Sequence, residues 1–279
     1  MKKLISILLV ITSVVSLAFF ASSCGKKSDQ KVLRVGMECA YAPYNWTQPT
    51  NENGAVPIKD SKDFANGYDV MMAKKIADEL GMKLEIVKLA WDSLVPAVQS
   101  GTIDCAIAGQ SITAQRAQSV DFTEPYYYAT IVTLVKKGSK FEKAQSLKDF
   151  AGATATSQIN TIWYDKCLPQ IPKVNKLPAF EETSQMLVAL NSGKCDVVVT
   201  DLPTGKAALV AYPDFVMLDF ATVKTDTFKV SDEDINIGIS VKKGNKELTE
   251  KINKVLKKMN ADDYNKLMDE AIKVQPLSK

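Results

Sequence analysis

The sequence predicts an α/β protein with two similar lobes, and three observations lead to that prediction. Short apolar segments alternate with amphipathic helical segments, a pattern typical of sheets whose strands run mostly parallel. Segments 100–105 and 192–197 resemble each other, because each places a Ser-Gly pair and an aspartate ahead of an apolar strand. The 279 residues are enough for about two domains, each with a buried core.

The first α/β unit begins at residue 32. Strands are predicted at 32–36, 84–89 and 103–108. A helix is predicted to begin at Asp69, a favourable capping residue, and to end at Gly81, because glycine readily adopts the left-handed conformation that terminates helices. A shorter helix is predicted at 94–100.

The second α/β unit begins after Lys136. Strands are predicted at 153–156, 196–200 and 235–241, and helices at 161–168, 182–190, 203–211, 248–259 and 262–273. In open α/β sheets, ligands bind outside the carboxyl ends of the strands. Each unit is therefore predicted to offer one binding surface at its strand ends.

The composition excludes several classes of enzyme and partner. The chain contains no histidine, which excludes serine-histidine and cysteine-histidine catalytic sites, HExxH zinc helices and imidazole general bases. Its 35 basic and 32 acidic residues are too evenly balanced for a nucleic-acid-binding surface. We expect no cofactor, and no metal site, because the cysteines are widely spaced and form no CxxC pair.

The first 23 residues have the pattern of an export signal. A basic start precedes an apolar stretch at 4–20 and small residues ahead of Cys24. This arrangement resembles a bacterial lipoprotein signal, in which the cysteine becomes the lipid-bearing first residue, although Ala21 stands where the usual pattern has leucine. Ordinary signal cleavage and an uncleaved anchor are the alternatives. Residues 24–31 would form a polar tether.

Four further cysteines follow the leader. They are Cys39, Cys105, Cys167 and Cys195. Cys105 and Cys195 are predicted to be strand residues, and buried free thiols are the favoured state. Export permits disulfides, however, and four cysteines allow three pairings among which the sequence does not choose.

The first candidate binding cluster centres on Arg116. It follows the strand that ends at Gly109, and Thr113 is a suitable N-cap for the short helix that contains the arginine. A guanidinium there could bind a carboxylate in bidentate fashion, together with nearby backbone N–H groups. A solvated surface arginine is the alternative.

The second and third clusters lie in the second unit. Residues 158–161 follow a strand and begin a helix, which suits anion binding, although Asn160 or Thr161 could equally be an ordinary cap. Asp201 ends an apolar strand, where it could pair with a substrate ammonium group or cap the following helix.

The fourth cluster is aromatic and contains Tyr41, Tyr44, Trp46 and Trp91. Rings near a strand end can enclose the side chain of a ligand, and they can also belong to the core. Glu38 lies between the first strand and these rings, too close to an apolar segment to be a solvated surface residue.

In this order, the clusters resemble the polar amino-acid-binding proteins of bacterial ABC importers, the solute-binding proteins of family 3. The resemblance covers essentially the whole chain after the leader. The matching segments are LRVGMECAYAPYNW at 33–46, NGYDV at 66–70, WDSLVPA at 91–97, GQSITAQR at 109–116 and VDFTEPYY at 120–127.

The resemblance implies a type II periplasmic-binding-protein-like fold. Two α/β lobes would be joined by two crossing strands, near residues 126–130 and 234–240, and would close on the ligand. The first lobe would be discontinuous. The implied boundaries are 1–23 for the signal peptide, 24–31 for the tether, 32–127 plus 239–279 for lobe I and 128–238 for lobe II.

The resemblance also implies roles for individual residues. Arg116 corresponds to the arginine that binds the α-carboxylate of an amino acid, Ser111 to a hydroxyl partner and Thr161 to a donor from the second lobe. The carbonyl of Gly109 and the carboxylate of Asp201 correspond to the groups that hold the α-ammonium.

Three further residues correspond to the wall around the ligand side chain. Tyr41 and Trp91 match aromatic walls, and Glu38 matches an acidic position, which favours a side chain that donates hydrogen bonds: Arg, Lys, His or Gln. Two departures affect these assignments. Ala108 stands where some members have serine, and residues 158–161 lack the Gly-Thr-Thr of many members.

As a function, the resemblance implies a monomeric lipoprotein on the extracytoplasmic side of the membrane. It would deliver a polar amino acid to an ABC permease and its ATPase, and it would not be an enzyme. Two alternatives on the same fold stay open. One is a cyclohexadienyl dehydratase with Glu38 as its general acid, and the other is a sensor or adhesion lipoprotein without transport.

Overall fold

The computed structural model describes residues 30–221 and 226–276, and these residues contain two five-stranded β-sheets. The expectations for the leader and for Cys24 lie outside the described residues. Strands and helices are numbered below in chain order.

The first sheet combines strands from both ends of the chain. In spatial order it contains β6 (Lys83–Lys88), β1 (Val32–Met37), β7 (Cys105–Ala106), β16 (Ser240–Lys242) and β8 (Val120–Phe122). Strands β6, β1 and β7 run parallel, whereas β16 runs antiparallel to both of its neighbours. The carboxyl ends of β1 and β7 therefore lie at one edge of the sheet.

The second sheet comes from the middle of the chain. In spatial order it contains β12 (Asn175–Lys176), β11 (Thr154–Thr156), β13 (Val197–Asp201), β10 (Ile131–Lys136) and β14 (Phe215–Leu218). Strands β12, β11 and β13 run parallel, and β10 runs antiparallel to β13 and β14. Both sheets are thus mixed, which corrects the expectation of mostly parallel strands.

The mixed direction follows from the way in which the chain passes between the sheets. Two short strands, β9 (Tyr127–Tyr128) and β15 (Asn236–Ile237), pair antiparallel with each other. Strand β10 follows β9 and strand β16 follows β15, so each sheet gains one strand that enters from a crossing. The two-lobed fold with two crossing strands is confirmed, and the exact lobe boundaries stay a prediction.

The predicted strand at 235–241 is in fact interrupted. A short helix, α6 (Asp232–Ile235), precedes β15, and Gly238 and Ile239 separate β15 from β16. A Cβ atom on Gly238 would lie 2.6 Å from Cγ1 of Ile112, so the backbone approaches that side chain too closely for any larger residue.

A small four-stranded sheet lies beside the end of β1. In spatial order it contains β2 (Ala40–Tyr41), β3 (Asn45–Gln48), β5 (Phe64–Asn66) and β4 (Val56–Pro57). Sequence reasoning did not predict this sheet, because its strands are only two to four residues long and carry no regular alternation.

Apart from α6, the α-helices of the described residues follow the sequence predictions closely. They are α1 (Tyr68–Glu79), α2 (Leu94–Ser100), α3 (Ala114–Ala117), α4 (Thr183–Asn191), α5 (Leu202–Ala211), α6, α7 (Lys246–Leu256) and α8 (Ala261–Val274). The expected cap of α1 is wrong: Gly67 holds the N-cap position and Asp69 is buried in the first turn. Glycine is required there, because its φ is 126° and a Cβ would lie 2.4 Å from the carbonyl oxygen of Tyr44.

The helix predicted at 161–168 is also different. The chain forms a single π-helical turn (Trp163–Cys167) and then a short 3₁₀ turn (Leu168–Gln170). Pro169 lacks the backbone N–H that a continuing α-helix needs, so a regular helix cannot extend through this point.

Two apolar clusters form the interior. The larger one includes the first sheet, α1 and parts of α7 and α8, and it reaches β13 of the second sheet. The smaller one packs Met186 and Leu187 of α4 against Leu134 and Val198. In the described part of the chain, no helix is long and apolar enough to cross a membrane.

Candidate functional site

The candidate site lies where strands of both sheets end. Glu38 follows β1, Gly109 follows the segment after β7, and residues 158–161 follow β11. Asp201 is the last residue of β13. The structure thus agrees with the expectation that each lobe contributes residues from the carboxyl ends of its strands.

Arg116 lies on α3, and its guanidinium connects the two lobes. The hydroxyl oxygen of Thr113 accepts a hydrogen bond from the Arg116 backbone N–H at 3.2 Å, so the predicted cap is confirmed. Nη1 donates to the carbonyl of Ser111 at 2.9 Å, and Nη2 donates to the carbonyl of Asn160 at 2.8 Å. Burial lowers the pKa of Arg116 to about 10, so the side chain keeps its charge at neutral pH.

Asp201 is fully buried and is held by three donors. Oδ1 accepts from the backbone N–H of Thr204 at 2.9 Å, and Oδ2 accepts from the Thr204 hydroxyl at 3.0 Å. Oδ2 also accepts from the Tyr41 hydroxyl of the other lobe at 2.5 Å. Asp201 therefore caps α5, one of its two predicted roles. Burial raises the pKa of this carboxyl, and the three hydrogen bonds oppose that rise.

Glu38 is buried with fewer partners. Its two carboxylate oxygens lie 3.4 Å and 3.3 Å from Nε2 of Gln158, which comes from the second lobe. Nε2 makes a shorter bond, 2.9 Å, to the carbonyl of Glu181. Desolvation raises the pKa of Glu38 to about 8, and the contact with Gln158 offsets only part of that rise.

The segment 158–161 is held by lobe I through several contacts. The indole N–H of Trp91 donates to the carbonyl of Ile159 at 3.1 Å, and Nδ2 of Asn160 donates to a carboxylate oxygen of Asp92 at 2.7 Å. The hydroxyl of Thr161 donates to the carbonyl of Gln158 at 2.7 Å. This hydroxyl is therefore engaged within its own turn.

Gly109 and Ser111 lie on the loop between β7 and α3. The backbone N–H of Gly109 donates to the Tyr126 hydroxyl at 3.0 Å. Gly109 has a φ of 61°, and a Cβ there would lie 2.8 Å from the ring of Tyr41, so a side chain would be both strained and crowded. Ser111 is buried and forms a β-bridge with Ile237 of the second crossing strand.

The eight predicted site residues fall into two groups. Trp91, Arg116 and Thr161 line an open cleft of about 410 Å³, together with Asp92 and Asn160. Five residues do not line it: Glu38, Tyr41, Gly109, Ser111 and Asp201. In that second group, Tyr41 contacts both Asp201 and the Gly109 position.

The described cysteines do not contribute reactive groups. Cys39, Cys105, Cys167 and Cys195 are buried free thiols. Burial raises the pKa of the Cys39 thiol to about 12, so it is not a thiolate at neutral pH. In the described ranges, no group of three metal-ligating side chains is present either.

Sequence reasoning missed a set of buried polar residues behind the loops. Asp69 accepts from the Tyr126 hydroxyl at 2.6 Å and from Nδ2 of Asn45 at 2.7 Å. The segments NGYDV and EPYY contain two of these residues, yet nothing local in either segment indicates that they meet.

Comparison with known proteins agrees with this geometry. The model of the "Bacterial extracellular solute-binding proteins, family 3" matches residues 33–273. The "Probable histidine-binding protein" of Neisseria gonorrhoeae is 29% identical over 246 residues, which cover 85% of this chain and 81% of the relative. The "Arginine-binding extracellular protein ArtP" of Bacillus subtilis is 27% identical over 257 residues, 91% of each chain.

Solved structures extend the comparison to the fold. The ancestral amino-acid-binding protein AncCDT-1, described as a precursor of cyclohexadienyl dehydratase, is 30% identical with a TM-score of 0.69. The match covers 86% of this chain and 95% of that chain. Because the family model spans most of the sequence, and the two lobes and crossing strands agree with it, the chain belongs to the bacterial extracellular solute-binding proteins of family 3.

Proposed function

We propose that the chain is the extracytoplasmic substrate-binding component of an ABC importer, and that it holds a polar L-amino acid between its lobes and delivers it to a permease. The observation that carries this proposal is that each lobe supplies one charged group near the lobe contact. Arg116 of one lobe lines the cleft, and the buried Asp201 of the other lobe accepts a hydrogen bond from Tyr41 across the lobes. A zwitterionic amino acid has the complementary charges. Such charges can be buried only where each meets an opposite charge and hydrogen bonds.

Arg116 is assigned to the α-carboxylate of the amino acid. Its present acceptors are the carbonyl oxygens of Ser111 and Asn160. A carboxylate is a stronger acceptor than a carbonyl and matches the planar fork of a guanidinium, so it can replace one of these partners. Ser111 is assigned as an additional donor at this end. Thr161 is assigned as the donor from the second lobe, which requires its hydroxyl to leave the carbonyl of Gln158.

Asp201 is assigned to the α-ammonium. One of its oxygens now accepts from the Tyr41 hydroxyl, at a position that an ammonium N–H can take over. The bonds from Thr204 would remain and keep the carboxylate oriented. The carbonyl of Gly109 is assigned as a second acceptor for the ammonium.

Glu38 is assigned to the side chain of the amino acid, and this assignment makes arginine the first candidate. With a pKa of about 8, the unliganded carboxyl is mostly protonated at neutral pH. A cationic guanidinium would favour the ionised form and supply the donors that Glu38 otherwise lacks. A relative named for binding arginine supports this choice. Histidine, for which another relative is named, is a further candidate, as are lysine and glutamine. Tyr41 and Trp91 would enclose the aliphatic part.

A thermal-shift screen against all L-amino acids tests the proposal. A ligand at 100 times its Kd stabilises the native state by about 2.7 kcal/mol. At about 2–4 °C per kcal/mol for a chain of this size, the melting temperature rises by several degrees. The protein should be unfolded and refolded first to remove any bound ligand. A strong shift with one polar amino acid is expected, and none across the panel would contradict the proposal.

A dehydratase is the second candidate, and Glu38 is the observation that favours it. A buried carboxylic acid that is protonated at neutral pH suits general acid catalysis, and one similar structure is of a dehydratase precursor. Incubation with a cyclohexadienyl acid distinguishes the two functions. The transport proposal predicts no aromatic product, whereas a product that disappears in Glu38→Gln would establish the enzyme.

The proposal includes a lipid anchor on Cys24, an extracytoplasmic location and a monomeric state. Mass spectrometry of the N-terminal peptide from membranes should show a diacylglyceryl cysteine, and Cys24→Ser should release the protein. Light scattering after size exclusion should give the mass of one chain. An unmodified Cys24 in the membrane fraction would contradict the anchor without affecting the assignment of the ligand.

A further inference from the structure

Asp69 has an unusual environment for a carboxylate. It is fully buried in the first turn of α1, although Gly67 occupies the cap position of that helix. No lysine or arginine in the described residues forms an ion pair with it. Burying a carboxylate without a cation is costly. The acceptors of Asp69 are instead directed to neutral donors: the side chains of Tyr126 and Asn45, with the backbone N–H of Gly109 also contributing.

The first donor connects Asp69 to the Gly109 loop. The Tyr126 hydroxyl donates to Asp69 at 2.6 Å and accepts from the backbone N–H of Gly109 at 3.0 Å. A hydroxyl that donates in one direction is free to accept in the other, so the carboxylate fixes which way the Tyr126 hydroxyl points. The backbone of Gly109, whose carbonyl is assigned to the α-ammonium, is thereby held in place.

The second donor connects Asp69 to the loop between β1 and β2. Nδ2 of Asn45 donates to Asp69 at 2.7 Å, and Oδ1 of Asn45 accepts from the backbone N–H of Cys39 at 2.7 Å. Cys39 has a left-handed φ of 53°, which is uncommon for a residue other than glycine. This strained residue directly follows Glu38 and precedes the strand that carries Tyr41. The hydrogen bond from the Cys39 N–H to the Asn45 side chain therefore stabilises the bend between Glu38 and Tyr41.

Tyr126 also belongs to the connection between the lobes. It directly precedes β9, its backbone N–H donates to the carbonyl of Ile237 in β15 at 2.9 Å, and its carbonyl accepts from the Tyr68 hydroxyl at 2.5 Å. One buried residue therefore contacts the crossing strand through its backbone, and the Gly109 loop and Asp69 through its hydroxyl.

We propose that Asp69 is a positioning residue for amino-acid binding, and that through Tyr126 and Asn45 it holds the Gly109 loop and the Glu38–Tyr41 loop in a fixed arrangement beside the crossing strands. Asp69 touches no ligand in this account. Its effect on affinity rests on the proposed function, whereas its effect on the Gly109 amide does not.

Tyr126→Phe tests the proposal with little change in packing. The variant removes the hydroxyl that accepts from the Gly109 N–H at 3.0 Å and donates to Asp69 at 2.6 Å. Tyr164→Phe is the matched control, because it removes a hydroxyl that donates to the carbonyl of Leu177 at 2.7 Å, in the second lobe and away from these loops. The ¹H,¹⁵N resonance of Gly109 and calorimetric titration with L-arginine are the two measurements.

We expect Tyr126→Phe to shift the Gly109 amide proton upfield and to increase its rate of hydrogen exchange. We expect arginine affinity to fall by roughly 5- to 30-fold, the range for a lost buried hydrogen bond whose partner is left unsatisfied. Tyr164→Phe should leave both readings at the wild-type values. Asp69→Asn should lower the affinity too, and the double variant with Tyr126→Phe should lose less than the two losses combined.

The outcomes separate this inference from the proposed function. If the wild type binds arginine and Tyr126→Phe binds it within twofold, the positioning role is wrong. An unchanged Gly109 resonance in Tyr126→Phe overturns the network itself, whatever the ligand. If the wild type binds no amino acid, the proposed function fails, while the Gly109 resonance still decides whether the network exists. Should Asp69→Asn not fold, the comparison of Tyr126→Phe with Tyr164→Phe is sufficient.

Discussion

Two buried carboxylates, Asp201 in one lobe and Glu38 in the other, differ in how their charge is stabilised. Asp201 accepts three hydrogen bonds of 3.0 Å or less, whereas Glu38 has only the two longer contacts with Gln158. Burial raises the pKa of both carboxyls, and for Glu38 it reaches about 8. The three hydrogen bonds from Tyr41 and Thr204 therefore favour the ionised form of Asp201. Glu38 lacks such donors, and we expect its ionisation to depend on the ligand.

The largest expected effect concerns the charged pair at the common end of every amino acid. Arg116→Ala and Asp201→Asn should each weaken binding by about 1,000-fold or more, because truncation leaves the ligand's opposite charge buried and unpaired. Isothermal titration with the best ligand measures this loss. Arg34→Ala is the control, because Arg34 pairs with Asp104 in the same lobe without contacting the site. Affinity near the wild-type value in either site variant would contradict the assigned roles.

The next effect separates Glu38 from Asp201. Glu38→Gln should weaken arginine binding by about 100-fold, because the cationic side chain loses its counter-charge. Glutamine binding should change by less than about threefold, because Gln at this position still offers an acceptor. Titrations of both ligands against both proteins measure the difference. Equal losses for the two ligands would show that Glu38 does not read the side chain.

Features of the fold and the site that depend on local sequence were predictable. Helix α2 (Leu94–Ser100) has the predicted bounds, because a Ser-Gly pair ends it, and the Thr113 cap was visible in the sequence. The sequence also placed Glu38 and Asp201 at strand ends, where the structure has them. Contacts between distant segments were not predictable: Tyr41 and Asp201 are 160 positions apart, and Tyr126 and Asp69 are 57 apart.

Predictions also failed where packing against another segment decides the structure. Asp69 has the side chain of a helix cap, yet Gly67 holds that position because the backbone approaches Tyr44 too closely for a Cβ. The raised pKa of Glu38 depends on burial by both lobes, which no local pattern reveals. The mixed sheets arise from crossing strands of only two residues each, too short for any periodic signal.

A smaller effect is expected on stability without ligand. The pKa of Glu38 is about 8 in the native state against an ordinary value of 4.5, so the native state keeps a proton that the unfolded state releases between these pH values. Its contribution to the free energy of unfolding therefore falls as the pH rises from about 4.5 to 8. Glu38→Gln should melt several degrees above the wild type at pH 8.5, with a difference that shrinks towards pH 5. Calorimetric melts of both proteins at several pH values measure this difference. A difference in melting temperature that stays constant with pH would contradict the prediction.

The smallest effect concerns the edge of the cleft. Asp92→Ala removes the acceptor of Asn160 Nδ2 across the lobes, and we expect about threefold weaker binding of every ligand, because an exposed hydrogen bond contributes little. Glu85→Ala is the control, since it breaks an exposed pair with Lys59 elsewhere in the lobe. Weaker binding of arginine alone would contradict this role, because it would mean that Asp92 contacts the side chain of the ligand instead of holding the two lobes together.

Proton release on binding tests the central contrast most directly. Arginine should be titrated into the ligand-free protein at pH 7 in buffers with different ionisation enthalpies, such as phosphate and Tris. Release of close to one proton is expected, because arginine ionises a Glu38 carboxyl whose pKa is about 8, and close to none is expected for glutamine or for Glu38→Gln. Arginine binding whose heat is the same in every buffer would contradict the account, since Glu38 would then be ionised before the ligand arrives.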